Sequence, residues 1–306
     1  MAVRKTAPVT EVPAPRSTRI ITCANHKGGT GKTTTAVNVS AGLAVLKQQR
    51  VLLVDCDPRG NASLALGVDI EHVRYSVTDL LTGAMPDVHA LCWDTGDNLH
   101  ILPANATLQD VEPELVRSVD GRWRLKHALQ PLLDAFDFIL IDTPPTLGIF
   151  MQAPLVASTD LLIPVDVGYF SLEGMRQLLE DIARVRQGLQ LTLETKKILL
   201  TKFDARTTLS AYVRDILRES FGAEALHTVI HGNVALVRAQ MARQSIFAYD
   251  RTSTGAQDYQ HVVEELLGKS RAVEASGTVL PCRHQRRESG GRKEPKSGRA
   301  AQADTR

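Results

Sequence analysis

Asn25-His26-Lys27-Gly28-Gly29-Thr30-Gly31-Lys32-Thr33-Thr34 follows an apolar run, Ile20 to Ala24, and leads into a helical pattern from Thr34 to Leu46. That is a strand, a glycine-rich turn and a helix N-terminus, the local arrangement that holds a nucleotide's phosphates. Glycines let the backbone wrap closely around an anion, and the turn's N–H groups point inward as donors. Lys32 adds positive charge at the β- and γ-phosphates, and the Thr33 hydroxyl is placed to ligate Mg²⁺. A chance glycine-rich turn would not also place Gly28, Gly31, Lys32 and Thr33 at this spacing between a strand and a helix.

Outward from this loop, two further strand tips end in acid. Arg50-Val51-Leu52-Leu53-Val54-Asp55 reads as a buried strand and is followed by Asp57-Pro58-Arg59-Gly60-Asn61-Ala62-Ser63. Phe136-Asp137-Phe138-Ile139-Leu140-Ile141-Asp142 is a second, continuing into Thr143-Pro144-Pro145-Thr146-Leu147-Gly148. A carboxylate at such a tip holds Mg²⁺ through water. Taken alone, Asp57 is a turn or helix-capping aspartate before Pro58, and Lys27 a solvated lysine at a loop mouth.

Further strands are expected at 98–102, 160–165 and 196–201, and helices around 106–118, 122–135 and 256–267. Leu172, Met175, Leu178, Leu179, Ile182 and Val185 repeat at helical spacing and predict a stripe facing the sheet. A helix from Thr207 to Ser220 would turn Leu209, Tyr212, Val213, Ile216 and Leu217 inward, with Arg214 and Arg218 outside. Trp93 and Trp123 lack aromatic partners at stacking spacing and read as packing residues. Strands alternating with helices over residues 18–268 predict a single α/β domain: a doubly wound, mostly parallel sheet, helices on both faces and ligands at the strand C-termini.

Net charge is +2, but residues 1–19 carry +3 and residues 271–306 carry +5, which leaves −6 for residues 20–270. Residues 1–17, rich in Pro, Thr and Ala, read as a disordered arm, and 269–306 as a disordered basic tail. The arm is too short for a helix-turn-helix domain. Cys23, Cys56, Cys92 and Cys282 show no metal or redox spacing, and Cys23 and Cys56 read as reduced core fillers of a cytosolic protein. No run approaches the ~18 apolar residues of a membrane span, and no signal-peptide core is present.

Lys27 makes the loop Lys-Gly-Gly-Thr-Gly-Lys-Thr-Thr, which resembles the deviant Walker A P-loop of the ParA/MinD family of dimerising ATPases. The Asp57 loop resembles that family's Asp-Pro-Gln-Gly-Asn, with Arg59 in place of Gln, and 142–148 its Asp-Thr/Cys-Pro-Pro-Ser-Leu-Gly. Thr201-Lys202-Phe203-Asp204-Ala205-Arg206-Thr207 resembles its Thr-Met-x-Asp-x-Arg-Thr. The resemblance runs from about Arg19 to Gly268. It implies that Lys27 reaches across a dimer to the partner's nucleotide, that Gly28, Gly29, Thr30, Gly31, Lys32, Thr33 and Thr34 hold ATP, and that Thr33 and Asp142 serve Mg²⁺. Asp57 would position the attacking water. ATP-bound homodimers, sequence-independent DNA binding on the nucleoid and a ParB-like stimulating partner are likewise implied. So is a cargo to segregate, whether a plasmid, a chromosome origin or a protein assembly.

One stretch departs from the DNA surface that relatives use. Where they read Ile-Pro-Arg-Asn-Val-Arg, this chain has Ile230-His231-Gly232-Asn233-Val234-Ala235, so two arginines and a proline near the adenine are missing. Arg206 is then the best candidate for a DNA phosphate, with Arg214, Arg218, Arg238 and Arg243 behind it. The alternative within the superfamily, a MinD-like membrane-cycling regulator, calls for an amphipathic C-terminal helix, and Gly277, Pro281 and Gly290 interrupt the tail. An electron-transfer relative of the nitrogenase iron protein would need cluster cysteines, which the Asp142 loop lacks.

Overall fold

The computed structural model describes residues 18–84, 92–189, 191 and 195–268; the N-terminal arm and basic tail expected from the sequence lie outside them. Eight strands form one sheet in the order β3-β4-β2-β5-β1-β6-β7-β8. They are β1 (Arg19–Cys23), β2 (Val51–Asp55), β3 (Trp93–Asp94), β4 (Leu99–Leu102), β5 (Phe138–Asp142), β6 (Asp160–Asp166), β7 (Thr195–Phe203) and β8 (Ala225–His231). All neighbours pair parallel except β3, which runs antiparallel to β4 at the edge. The central strands read as unbroken apolar runs because helices cover both faces, and β2 and β5 are buried at every position. Parallel register sets Asp142 opposite both Cys23 and Asp55, so the P-loop and both acidic strand tips emerge at one edge.

On one face, α1 (Lys32–Lys47) lies in the sheet's groove beneath α11 (Thr254–Leu266). Their approach is close at Gly42, where a Cβ would stand 2.9 Å from Val263 Cγ2 and 3.1 Å from Phe247 Cε2. Tyr259, fully buried, meets the Thr35 hydroxyl at 3.1 Å, and Asn38 accepts the Ile246 N–H at 2.7 Å. Those bonds fasten α11 and the short α10 (Ile246–Tyr249) to the P-loop helix. The other face carries two clusters. One, under α5 (Gly121–Leu129) and α6 (Ile149–Ala157), is centred on Leu125, Leu129, Ile139 and Ile141. A second, under α7 (Tyr169–Leu189) and α8 (Thr208–Phe221), gathers Met175, Leu178, Ile182, Val213 and Leu217.

Prolines account for the main differences from the predicted helices. The expected helix over 106–118 is a 3₁₀ turn, Ala106–Leu108, then α4 (Glu112–Arg117), which Pro113 opens. The expected helix over 122–135 stops as α5 at Leu129, and Pro131 lies in the 3₁₀ turn that follows. In α8 the buried stripe is Ser210, Val213 and Leu217, which turns Leu209 and Tyr212 outward, 45% and 63% exposed. Trp93, on the two-residue edge strand, is 41% exposed and not a core residue. Trp123 is half-buried and stacks on the His127 ring at 6.4 Å, an i+4 partner. Cys23 and Cys56 are buried core thiols, as expected.

Gly42→Val should lower the unfolding free energy by about 1–3 kcal/mol, because the added carbons overpack the seam between α1 and α11. Urea denaturation of parent and variant measures it.

Candidate functional site

The P-loop closes onto α1 with Gly31 in the left-handed region, φ 89°, and no side chain caps the helix. No acidic residue occupies its first turn. The first N–H groups of α1 and its positive dipole end therefore face the loop's interior without a protein anion to satisfy them. Gly29 is also left-handed at φ 76°, and a Cβ on Gly28 would meet nothing within 4 Å. Neighbouring strands brace it. Asn25 donates to the Pro164 carbonyl at 2.7 Å and accepts the Lys27 N–H at 3.0 Å. Thr201, at the C-terminal end of β7, donates to the Thr30 carbonyl at 2.8 Å.

Charge converges on this cradle from three sides. Lys32 is buried, and its ammonium donates to the Lys27 carbonyl at 3.2 Å. Burial lowers its pKa, while the Asp142 and Asp57 carboxylates oppose that shift. Asp55, fully buried, accepts from the Asp57 N–H and from both the N–H and hydroxyl of Ser63. Burial nonetheless pushes its carboxyl up to about 6, against those hydrogen bonds. Asp55 is thus the clamp that shapes the Asp57 loop, a role missed in the sequence. Its one signal was a strand-end acid two residues before Asp57.

Asp142 takes the Thr33 hydroxyl at 2.7 Å on Oδ2, while its buried Oδ1 has no hydrogen-bond partner. Burial, with Asp55 adding to it, raises its pKa well above the usual carboxylate range. A buried carboxylate oxygen left bare beside a threonine hydroxyl is the oxygen donor set of a hard divalent cation, supplied where an anion would sit. Among the described residues no cluster of three or more His, Cys, Asp or Glu forms a separate metal site. Such a cation would therefore share its ligation with the anion and with water, as magnesium at phosphates does.

Asp57 is buried and accepts the Arg59 N–H at 3.0 Å on Oδ1. It lines a cavity of about 220 Å³ with Arg59, Glu112, Pro144 and Pro145, which joins the two acidic loops. Lys27 does not point into the cradle. Its ammonium lies 3.0 Å from both oxygens of Asp166, at the end of β6. Thr34 accepts from the Gln240 side chain at 2.8 Å, tying the loop to α9 (Val234–Met241).

The candidate DNA arginines occupy two places. Arg206 is 89% exposed, but its guanidinium grips Asp204 through two 2.9 Å bonds and holds that carboxyl down at about 2. Arg214 pairs with Asp215 at 2.8 Å, and Arg218 donates to the His227 carbonyl at 3.0 Å. Arg238 and Arg243 belong to α9 and its end, where Arg243 lines a cavity with Thr33, Asn61 and Gln240. His231, where relatives have proline, is held by Asp258 at 3.0 Å and edges onto the Phe203 ring at 5.5 Å.

An anion cradle at a helix N-terminus, a buried lysine and a threonine–aspartate pair, on the C-terminal edge of a parallel sheet, define a P-loop nucleoside-triphosphate-binding protein. A family model described as an AAA domain matches residues 18–198. The chain is 39% identical to the sporulation initiation inhibitor protein Soj of Bacillus subtilis, over 81% of this chain and 98% of that protein. It is 37% identical to the chromosome partitioning protein ParA of Myxococcus xanthus, over 81% of this chain and 88% of that protein. It also superposes with a TM-score of 0.68, at 31% identity, on a cobyrinic acid a,c-diamide synthase of Mycobacterium smegmatis solved with an ATP analogue and magnesium. The match covers 82% of this chain and 94% of that one. This chain belongs to the ParA-type partitioning ATPases.

Thr201→Val strips the Thr30 carbonyl of its buried donor while conserving shape. It should destabilise the protein by about 1–3 kcal/mol, and chemical denaturation measures the loss.

Proposed function

We propose that this chain is an ATP-dependent dimerising ATPase of the cytoplasm that binds nucleoid DNA without sequence preference and uses it to segregate or position a cargo. One observation carries the nucleotide half of this reading: the bare Asp142 oxygen and the Thr33 hydroxyl facing an uncapped, glycine-lined helix N-terminus. ATP seated there meets the N–H groups of residues 28 to 34, and Lys32 exchanges the Lys27 carbonyl for the β- and γ-phosphates. Thr33 and Asp142 hold the magnesium ion, which offsets phosphate charge. Asp57 spends one oxygen on the Arg59 N–H, and its other oxygen orients the attacking water. Lys27 leaves Asp166 to reach the nucleotide of a second copy, so hydrolysis waits for dimerisation. A ParB-like or cargo-adaptor protein would accelerate that step.

The partition names of the relatives support the cargo half. With −6 on residues 20–270, DNA contact rests on a local patch around Arg206 and on the basic tail. Among the described residues no helix is long and apolar enough to cross a membrane.

Lys32→Ala should abolish ATP binding, whereas Lys27→Ala should bind ATP yet remain monomeric. Size-exclusion chromatography with and without ATP separates the two, and a Lys27→Ala protein that dimerises normally would reduce Lys27 to a loop lysine. Asp57→Ala should dimerise on ATP but turn over on the order of 10²-fold more slowly, since the water loses its orientation. Steady-state phosphate release measures that, and parent-like turnover would move the role elsewhere.

The DNA half is tested by co-sedimenting the ATP-locked protein with two unrelated duplexes and with anionic liposomes across a salt series. Both duplexes should be bound alike, with a log–log salt slope of about 0.9 per phosphate neutralised. Deleting residues 271–306 should flatten the slope, and Arg206→Ala should weaken binding without affecting ATP. Preference for one duplex, or binding to liposomes instead, contradicts the reading.

A further inference from the structure

Lys202 stands at a backbone position that a lysine occupies only under constraint. Its φ is +55°, in the left-handed region, and it falls within the irregular register between Leu200 and Phe203 where β7 leaves regular pairing with β8. Register irregularities at strand ends beside functional sites re-aim side chains. Here the long side chain is carried to the P-loop: a Cβ built on Gly29 would lie 4.0 Å from Lys202 Nζ. The preceding residue, Thr201, is the one that donates to the Thr30 carbonyl, so β7 and the loop are locked together at this point. Among the described residues the Lys202 ammonium has no hydrogen-bond or ion-pair partner, although the residue is exposed. Lys27, by contrast, is held by Asp166, and Lys32 by the Lys27 carbonyl.

We propose that Lys202 is a further nucleotide-binding residue, an uncommitted cation placed over the outer wall of the P-loop to hold the phosphate chain of a nucleoside di- or triphosphate. This rests on the reading of the P-loop as a nucleotide site. Gly28 and Gly29 are the exposed, Cβ-free part of the loop, and the Lys202 ammonium stands beside Gly29 with no loop side chain in its way there. A lysine in left-handed backbone is tolerated at a cost to the fold, and strained residues of this kind persist where a site uses them. The family segment that this stretch resembles has methionine here, so the added charge distinguishes this chain. Lys202 acts in cis and is available before dimerisation, unlike a lysine that must cross to a partner.

The test is titration of the full-length parent, Lys202→Met, Lys202→Arg and Lys202→Asn with ADP and ATP, alongside thermal melting without nucleotide. Lys202→Met and Lys202→Asn should bind both nucleotides roughly tenfold more weakly, the loss expected of one charge-assisted contact, and Lys202→Arg should stay near the parent. Lys202→Asn should also melt higher than Lys202→Met, because asparagine accepts left-handed backbone more readily. Nucleotide affinity within twofold of the parent in folded Lys202→Met overturns the proposal. So does a loss confined to DNA binding, which would assign the cation to the DNA face. A parent that binds no nucleotide would instead defeat the reading of the P-loop itself.

Discussion

Three aspartates, Asp55, Asp57 and Asp142, converge on one edge of the sheet, all buried, with Lys32 buried among them. Burying that much charge is unfavourable unless each group is paired or hydrogen-bonded. Asp55 satisfies the requirement with three donors, and Asp57 accepts a loop N–H. Asp142 satisfies only half of it. The surrounding structure serves this arrangement: parallel register brings the tips level, helices on both faces exclude water, and α1 supplies the hydroxyl and the ammonium. The remaining deficit at Asp142 is what a metal-bearing anion would repair.

The same logic explains why the ligand-free loop is tied inward. Lys32 donates to a loop carbonyl, Lys27 sits on Asp166, and Thr33 sits on Asp142. On the function proposed above, each of these contacts would be exchanged for phosphate or metal, so that binding need not build a site from nothing. Helix α1 cannot move independently while this happens, because Thr35, Asn38 and Gly42 fasten it to α11 and α10.

What was legible in the sequence follows from how local the signal is. The P-loop, the two acidic strand tips and the central strands were readable because strand, turn and helix are contiguous and buried parallel strands are continuous apolar runs. Helix limits over 106–135 were not, because Pro113 and Pro131 divide one apolar pattern into short pieces. Strand β8 escaped because Leu226-His227-Thr228-Val229 has no continuous apolar run, one face being covered by α11 and the other partly open. The clamp role of Asp55 depends on Ser63, eight residues away, and the approach of Lys202 to Gly29 joins residues far apart in sequence. Neither leaves a spacing that a sequence pattern could show. The inward placing of Leu209 and Tyr212 failed through a small rotation of an amphipathic helix, which periodicity fixes only coarsely.

On the function proposed above, Asp142 and the P-loop form one site in which metal and nucleotide are bound together. Calorimetric titration of the full chain with ATP, once in Mg²⁺ and once in excess chelator, tests it directly. One ATP per chain should bind in Mg²⁺, with affinity falling on chelation, because the metal no longer offsets the phosphate charge beside Asp142. Equal affinity in both buffers, or no binding in either, would contradict it.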